Sequence, residues 1–339
     1  MSQMKSASPW ISRWLFLVAG MIFTTLVVGG ATRLTKSGLS ITEWKPIMGT
    51  LPPFSATDWQ VAFEKYQNSS QYKLMNRGMA LEDFKVIFWW EWAHRFLDRL
   101  IGVVFAFPFL YFVVTKQMPK WLWPRLLLIF LAGGLEGIVG WFMVASGLVD
   151  RVSVSQYFLA AHLTLATLLF AAVLWTALGL WQGSSRMRSI PLLAIALPMM
   201  IVLQVAAGGF VAGLDAGQGY NTWPLMDGVF IPSGLGAAMP LWRNLFENAL
   251  TVQFDHRILA YLIGILALWQ LAKRRTSSSL LVAGAVMLQV CLGVATLVWH
   301  VPLVLALIHQ GGALLVLTAA LWNLHCEGQF TPSPDQDQR

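Results

Sequence analysis

The chain has 339 residues, of which 57% are apolar and only 12% are charged, and its formal net charge is +7. Soluble domains carry about 25% charged residues, so the composition excludes a soluble, disordered or fibrous protein and predicts a multi-span membrane protein. The chain has two cysteines, Cys291 and Cys326, which exclude a disulfide scaffold and an all-cysteine metal site. A basic excess in a membrane protein is typical of cytoplasmic loops, so we expect contact with lipid and no nucleic-acid partner.

Apolar segments in the sequence are long enough for eight membrane-spanning helices, each of which takes about 20 residues. The segments are residues 14–31, 100–115, 126–149, 152–185, 189–214, 258–272 and a final run, 276–326. The final run is divided in two at His300-Val301-Pro302, because a proline ring cannot continue a helix interior. The sequence therefore predicts an all-α integral membrane protein with eight transmembrane helices.

The basic residues predict how the spans are oriented. They concentrate in the connections on one side of the membrane, at Lys5, Arg13, Lys116, Lys120, Arg125, Arg186, Arg188 and 273–275. By the positive-inside rule this side is cytoplasmic, and both termini lie there. Two long loops, at about residues 32–93 and 215–255, lie on the outer side. The last residues, 327–339, are predicted to form a disordered cytoplasmic tail.

The two halves of the chain repeat each other. A His-Arg-x-Leu sequence followed by Leu-Ile-Gly occurs at residues 94–102 and again 162 residues later, at 256–264. Further matches are Gly29-Gly30 with Gly208-Gly209, Glu136 and Gly140 with Gln289 and Gly293, and His162 with His309. Each half has four crossings, so the repeats have parallel topology. They predict two pseudo-symmetric four-helix bundles, residues 1–185 and 186–326, related by an axis along the membrane normal.

Four histidines occupy equivalent places in the even-numbered spans: His94, His162, His256 and His309. These spans all begin on the outer side, so the imidazoles are predicted to lie at similar depth, one pair per bundle. Paired histidines on facing helices of a bundle can hold heme iron, which predicts two heme sites. Hydrogen bonding between helices is the alternative, and the repeat of all four residues disfavours it. Zinc would need further Cys, Asp or Glu ligands at the same depth.

Arginines follow two of these histidines directly. Arg95 and Arg257 could bind the heme propionates, since guanidinium groups bind carboxylates in a bidentate way. The alternative is that these long cationic side chains extend to the membrane interface.

The two halves of the chain differ in their carboxylate side chains. Glu91 lies three residues before His94, and the equivalent position in the second half is Gln253. A carboxylate there could accept a proton or stabilise positive charge, and an interfacial ion pair with Arg95 is the alternative. Glu136 lies in an otherwise apolar span, so we expect it to be hydrogen-bonded or protonated inside the bundle, in a structural role.

Taken together, several segments resemble the heme A synthase family. They are Gly29-Gly-Ala-Thr-Arg-Leu-Thr-Lys-Ser-Gly-Leu-Ser40, Trp44-x-Pro46, Gly49-x-x-Pro52-Pro53, Glu91-Trp-x-His-Arg95, Gly147-Leu148, Gly213-Leu-Asp215 and Asn221-Thr-Trp-Pro224. The resemblance runs from about residue 14 to 325 and is to the proteobacterial and mitochondrial branch. Some other bacterial members have paired cysteines in the outer loops, which this chain lacks, so no loop-disulfide role is implied.

The resemblance implies oxidation of the C8 methyl of heme O to a formyl group, giving heme A for terminal oxidases, in a bacterial inner membrane. It implies that His256 and His309 hold a resident heme b and that His94 and His162 hold the substrate, heme O. Glu91 would be the catalytic carboxylate. Heme O synthase and terminal-oxidase assembly factors are the expected partners.

If both irons have two histidine ligands, neither has a free position for oxygen. Either one ligand leaves, or the methyl is oxidised by electron removal and trapped by water, with Glu91 taking the methyl proton or orienting the water. The main alternative is a quinol-oxidising electron-transfer subunit with two b hemes, which gives no reason for the carboxylate asymmetry. A transporter built from repeats is a third class, and it predicts broken helices at the membrane midplane.

Overall fold

The structure is a computed structural model that describes residues 8–44, 48–148, 151–182 and 192–329. Within these ranges the chain forms eleven α-helices and no β-strand. They are α1 (Pro9–Leu34), α2 (Ala56–Gln67), α3 (Ser70–Leu74), α4 (Leu81–Val114), α5 (Trp123–Leu148), α6 (Gln156–Trp181), α7 (Leu192–Gly213), α8 (Asn244–Glu247), α9 (Ala249–Arg274), α10 (Ser277–Val298) and α11 (Leu303–Gln329). All except α2, α3 and α8 are long and apolar enough to span a membrane. The predicted all-α class and the eight spans are confirmed.

Some sequence predictions fall outside the described residues. They concern Lys5, Pro46, Arg186, Arg188, the boundary between 185 and 186, and residues 330–339. The predicted break in the last apolar run, in contrast, lies within the described residues. There α10 ends at Val298 and α11 begins at Leu303, with His300 and Val301 both at positive φ in the turn.

The spanning helices pack as two rings of neighbours. Helix α1 contacts α4 and α6, and α5 also contacts both α4 and α6. In the second half, α7 contacts α9 and α11, and α10 also contacts both α9 and α11. The two groups meet where α6 packs on α7 and where α11 packs on α1 and α6. These contacts support two four-helix bundles, whose pseudo-symmetry and boundaries stay predictions.

The first outer loop is shorter and more structured than residues 32–93 suggested. Helix α4 begins at Leu81, thirteen residues before His94, and α2 and α3 lie within the loop. An aromatic cluster explains this start, because Phe84 is fully buried against Phe63 and Tyr66, with ring centroids 5.1 and 5.3 Å away. Burial raises the pKa of the Tyr66 phenol above its ordinary value. The first turns of α4 are amphipathic, so a search for apolar runs does not find them.

The predicted orientation can be tested by cysteine labelling. With Cys291 and Cys326 replaced by alanine, a single cysteine is introduced at Thr57, exposed in α2, or at Lys120, exposed between α4 and α5. A membrane-impermeant maleimide should label Thr57→Cys in intact cells, because its loop is predicted to be outside. It should label Lys120→Cys only after permeabilisation, and the reverse pattern would overturn the orientation.

Candidate functional site

The structure brings together the histidines of the first predicted pair. His94 on α4 and His162 on α6 have ring centroids 6.4 Å apart with the ring planes at 84°. Each side chain is 17% exposed. A metal ion about 2 Å from one nitrogen of each imidazole would place the two centroids about 6 Å apart. The spacing of this pair therefore fits a single iron held between the rings.

Glycines on neighbouring helices make room for all four imidazoles. A Cβ atom at each of these glycines would lie closer to Cε1 of the facing ring than the ordinary contact distance. The pairs and distances are Gly29 with His94, 2.7 Å; Gly140 with His162, 2.9 Å; Gly208 with His256, 3.3 Å; and Gly293 with His309, 2.8 Å. Gly29 matches Gly208 and Gly140 matches Gly293 in the repeat, so the same close approach recurs in both halves.

Glutamine side chains contact both histidines of the second pair. Nε2 of Gln204 lies 3.2 Å from Nε2 of His256 and donates to the His256 carbonyl oxygen at 2.9 Å. Gln289 does the same at His309, with Nε2 3.1 Å from Nδ1 and 2.7 Å from the carbonyl oxygen. Nδ1 of His256 is buried and has no hydrogen-bond partner among the described residues. A buried imidazole nitrogen left without a partner fits a metal-ligand position, and a resident heme at this pair stays a prediction.

Among the described residues, carboxylate side chains, and not glutamines, contact the first pair, His94 and His162. Oε1 of Glu136 on α5 is 2.9 Å from Nδ1 of His162, and Oδ2 of Asp98 is 3.7 Å from Nε2 of His94. Nδ1 of His94 is buried and, within the described residues, has no hydrogen-bond partner. Glu136 therefore contacts a predicted iron ligand, which goes beyond the structural role expected for it.

Glu91 and Arg95 connect the first pair to the outer loop. The Glu91 side chain is only 2% exposed. Its carboxylate accepts hydrogen bonds from Ser40 Oγ at 2.7 Å, Ile41 N at 2.8 Å and Arg95 at 2.5 Å. Arg95 also donates to the carbonyl oxygens of Ile41 and Glu43. The carboxylate is thus held in one place by three donors, one of them cationic.

The second half repeats this arrangement without the carboxylate. Arg257 donates to the carbonyl oxygens of Thr222 and Tyr220 and to Oε1 of Gln253. Gln253 donates to the carbonyl oxygens of Ala216 and Gly219. Both arginines therefore order the outer loops over the bundle ends. Propionate binding by Arg95 and Arg257 stays a prediction, since the contacts present are to loop carbonyls and to the residue one turn earlier.

Sequence reasoning missed Gln204 as a contact of His256. A signal for it exists, because Gln204 lies four residues before Gly208, on the same face of α7. The same spacing places Glu136 before Gly140 and Gln289 before Gly293. A polar residue one turn before a histidine-facing glycine is therefore the pattern that marks these contacts.

The fold and site define a class: a helical membrane protein whose described residues form eight spans and place four histidines, each facing a glycine, on the even-numbered spans. Comparison with known proteins gives the family. A sequence profile of cytochrome oxidase assembly proteins matches residues 12–321. Proteins named heme A synthase are 50% identical over 321 residues in Parvibaculum lavamentivorans, covering 93% of both chains, and 53% identical in Azorhizobium caulinodans, covering 91% of both. A further one from Nitrosospira multiformis is 49% identical and covers 93% of this chain and 92% of its own.

This chain belongs to the cytochrome oxidase assembly protein family. The resemblance to heme A synthases that the sequence motifs indicated is confirmed.

The histidine-facing glycines can be tested by adding one methyl group. Gly29→Ala should reduce heme retention in the N-terminal bundle about tenfold, because its Cβ would overlap the His94 ring. Gly208→Ala should reduce retention less, since its Cβ would be 3.3 Å from His256. Heme bound per purified protein measures both effects. Gly20→Ala, on the same helix as Gly29 with open space around its Cβ position, is the matched control, and an equal loss in that variant would contradict the interpretation.

Proposed function

We propose that this chain is a heme A synthase, an enzyme that oxidises the C8 methyl of heme O to a formyl group. The observation that carries the proposal is an asymmetry within a shared geometry. Both halves place imidazoles against glycines under an arginine-held loop, but only the first half has a carboxylate, Glu91, where the second has Gln253. The names of the relatives support the activity.

The second pair, His256 and His309, would hold a resident heme b. The buried, unpartnered Nδ1 of His256 and the glycines facing both rings support this. Bound there, heme b would supply one-electron transfer. The protein's part is to hold both rings, through Gln204 and Gln289, and to cover the site with the loop that Arg257 orders.

The first pair, His94 and His162, would hold the substrate, heme O. Each round of oxidation replaces one methyl C–H bond by a bond to a water-derived hydroxyl and releases two electrons and two protons. Two rounds give a gem-diol, which loses water to form the aldehyde. Glu91 would accept a proton or orient the attacking water. Its three hydrogen bonds fix the direction of its carboxylate, and the loop that carries Ser40 and Ile41 limits access of bulk water.

The competing functions have less support. A quinol-oxidising subunit with two b hemes would use two equivalent sites, whereas Glu91 and Glu136 in the first half correspond to Gln253 and Gln289 in the second. A transporter would be expected to have spans broken at the midplane, but α4, α6, α9 and α11, which carry the four histidines, are each continuous. The relatives named above are all called heme A synthase.

The proposed setting follows from the family. The chain is a multi-pass membrane protein, and we place it in a bacterial inner membrane with both termini in the cytoplasm. The family description supports a role in oxidase assembly. Heme O synthase, as the supplier of substrate, and terminal-oxidase assembly factors are the partners we propose.

The assignment of Glu91 is tested by Glu91→Gln. This change gives the first half the residue that the second half already has, so the fold and heme binding should persist. Heme A formation should fall at least about 100-fold, because a positioned proton acceptor contributes roughly that much. The variant is expressed with and without a heme O source, and the extracted hemes are identified and counted.

Glu82→Gln is the control for this experiment. Glu82 lies on the same helix and forms an ion pair with Lys85 at the surface, so heme A formation should be unchanged. If Glu91→Gln loses heme and product in equal measure, Glu91 acts in binding or folding. If wild-type protein supplied with heme O yields only heme b and heme O, the synthase assignment is wrong.

A further inference from the structure

Glu136 and Gln289 occupy equivalent positions, but Glu136 has an ionisable carboxyl group and Gln289 has a neutral amide. Each lies four residues before a histidine-facing glycine, and each contacts Nδ1 of the histidine on the next helix. The distances are similar, 2.9 Å from Glu136 Oε1 to His162 and 3.1 Å from Gln289 Nε2 to His309. The geometry is thus kept across the repeat while the charge is not.

A carboxylate at this position changes what the imidazole can do. Oε1 of Glu136 lies 2.9 Å from Nδ1 of His162, so that nitrogen faces the carboxyl group and Nε2 is the nitrogen left available to iron. A carboxylate bonded to a ligand histidine also raises the basicity of that ligand. A more basic ligand and a nearby negative charge both favour oxidised iron, and hydrogen bonding around the ligand is one of the means by which proteins set heme potentials. The neutral amide of Gln289 adds no net charge.

The arginines strengthen the contrast between the two halves. Arg95 is paired with the Glu91 carboxylate, so this pair adds little net charge to the first site. Arg257 is 9% exposed, and its hydrogen-bond acceptors are two carbonyl oxygens and the amide of Gln253, all neutral. The exposed carboxylate of Asp227 interacts electrostatically with Arg257 and offsets part of this charge. The remaining positive charge next to His256 favours reduced iron in the second site. Asp98 is half-exposed and is followed directly by Arg99, so the contrast does not depend on it.

We infer that Glu136 is a positioning residue that fixes the His162 ring and lowers the reduction potential of the N-terminal heme below that of the C-terminal heme. With hemes held at both histidine pairs, the C-terminal heme would be the better one-electron acceptor and the N-terminal heme the better one-electron donor. The direction of electron flow is set by Glu136 against Gln289 and by Arg257. This inference rests on the proposed function for the assignment of the four histidines as ligands.

Reciprocal substitutions at the two positions test the inference. The purified full-length protein, loaded with both hemes, is titrated with redox mediators while the heme absorbance is followed. Glu136→Gln should increase the reduced-to-oxidised ratio of the N-terminal heme about tenfold at a fixed ambient potential, a shift of ~59 mV for a one-electron couple. Gln289→Glu should decrease the ratio for the C-terminal heme by a similar factor. His162→Ala and His309→Ala, which each remove one ligand, assign the two transitions.

Glu327→Gln is the matched control. Glu327 is a buried glutamate near the other end of α11, where it accepts a hydrogen bond from Gln270 at 3.0 Å. Its replacement removes a buried carboxylate far along the helix from His309, so neither heme potential should move.

Each outcome decides the inference. Opposite shifts in the two reciprocal variants support it. If Glu136→Gln fails to retain its heme, Gln289→Glu decides alone: a lowered C-terminal potential supports the inference and an unchanged one overturns it. Unchanged potentials with both hemes bound overturn it and leave the proposed function intact. If His162→Ala keeps the N-terminal heme with an unchanged spectrum, histidine ligation is wrong and the proposed function fails with it.

Discussion

The structure depends on placing four imidazole rings between apolar helices, where a polar group without space or a partner is costly. On the neighbouring helices, residues one turn apart supply the space and the polar partner. A glycine lets each ring approach the helix backbone, and for three of the rings a glutamine or glutamate four residues earlier contacts the ring nitrogen. The exception is His94, because the residue four before Gly29 is Thr25. The lack of such a contact at His94 is one of the features that separates the first site from the second.

The outer loops complete the two sites by the same means. Arg95 donates to the carbonyl oxygens of residues 41 and 43, and Arg257 to those of residues 220 and 222. Each accepting residue in the second half lies 179 positions after its counterpart, the same offset that relates Gly29 to Gly208. A hydrogen bond to a charged donor contributes about 1.5–3 kcal/mol, so the two bonds offset part of the entropy lost when the loop is ordered. The loops therefore act as caps whose position is set by the arginine next to a predicted iron ligand.

Much of this could be predicted from the sequence, for identifiable reasons. Spans are found because a bilayer demands a continuous apolar run, and the four equivalent histidines are found because the repeat aligns His94 with His256 and His162 with His309. Their pairing at iron stays a prediction. The start of α4 at Leu81 could not be found this way, since it depends on Phe84 packing against residues of α2. The loop contacts of Arg95 depend on the path of a distant segment. The contact between Glu136 and His162 was within reach, because Glu136 and Gly140 share one face of α5.

An ion pair between the two halves, formed by Arg33 and Asp215, affects which halves can associate. Arg33 reaches from α1 to the second half, where it donates to the Ala212 carbonyl oxygen and to Asp215 at 2.9 Å. Asp215 is 63% exposed, so the pair contributes at most about 1 kcal/mol. The pair instead affects which halves can associate. At the offset of 179 residues that relates Gly29 to Gly208, Asp215 corresponds to Lys36 and Ala212 corresponds to Arg33. In a pair of two N-terminal halves, Arg33 of one half would face Lys36 of the other, and the two cations would repel. A pair of two C-terminal halves would lack the arginine. Halves made as separate polypeptides would therefore favour the mixed pair.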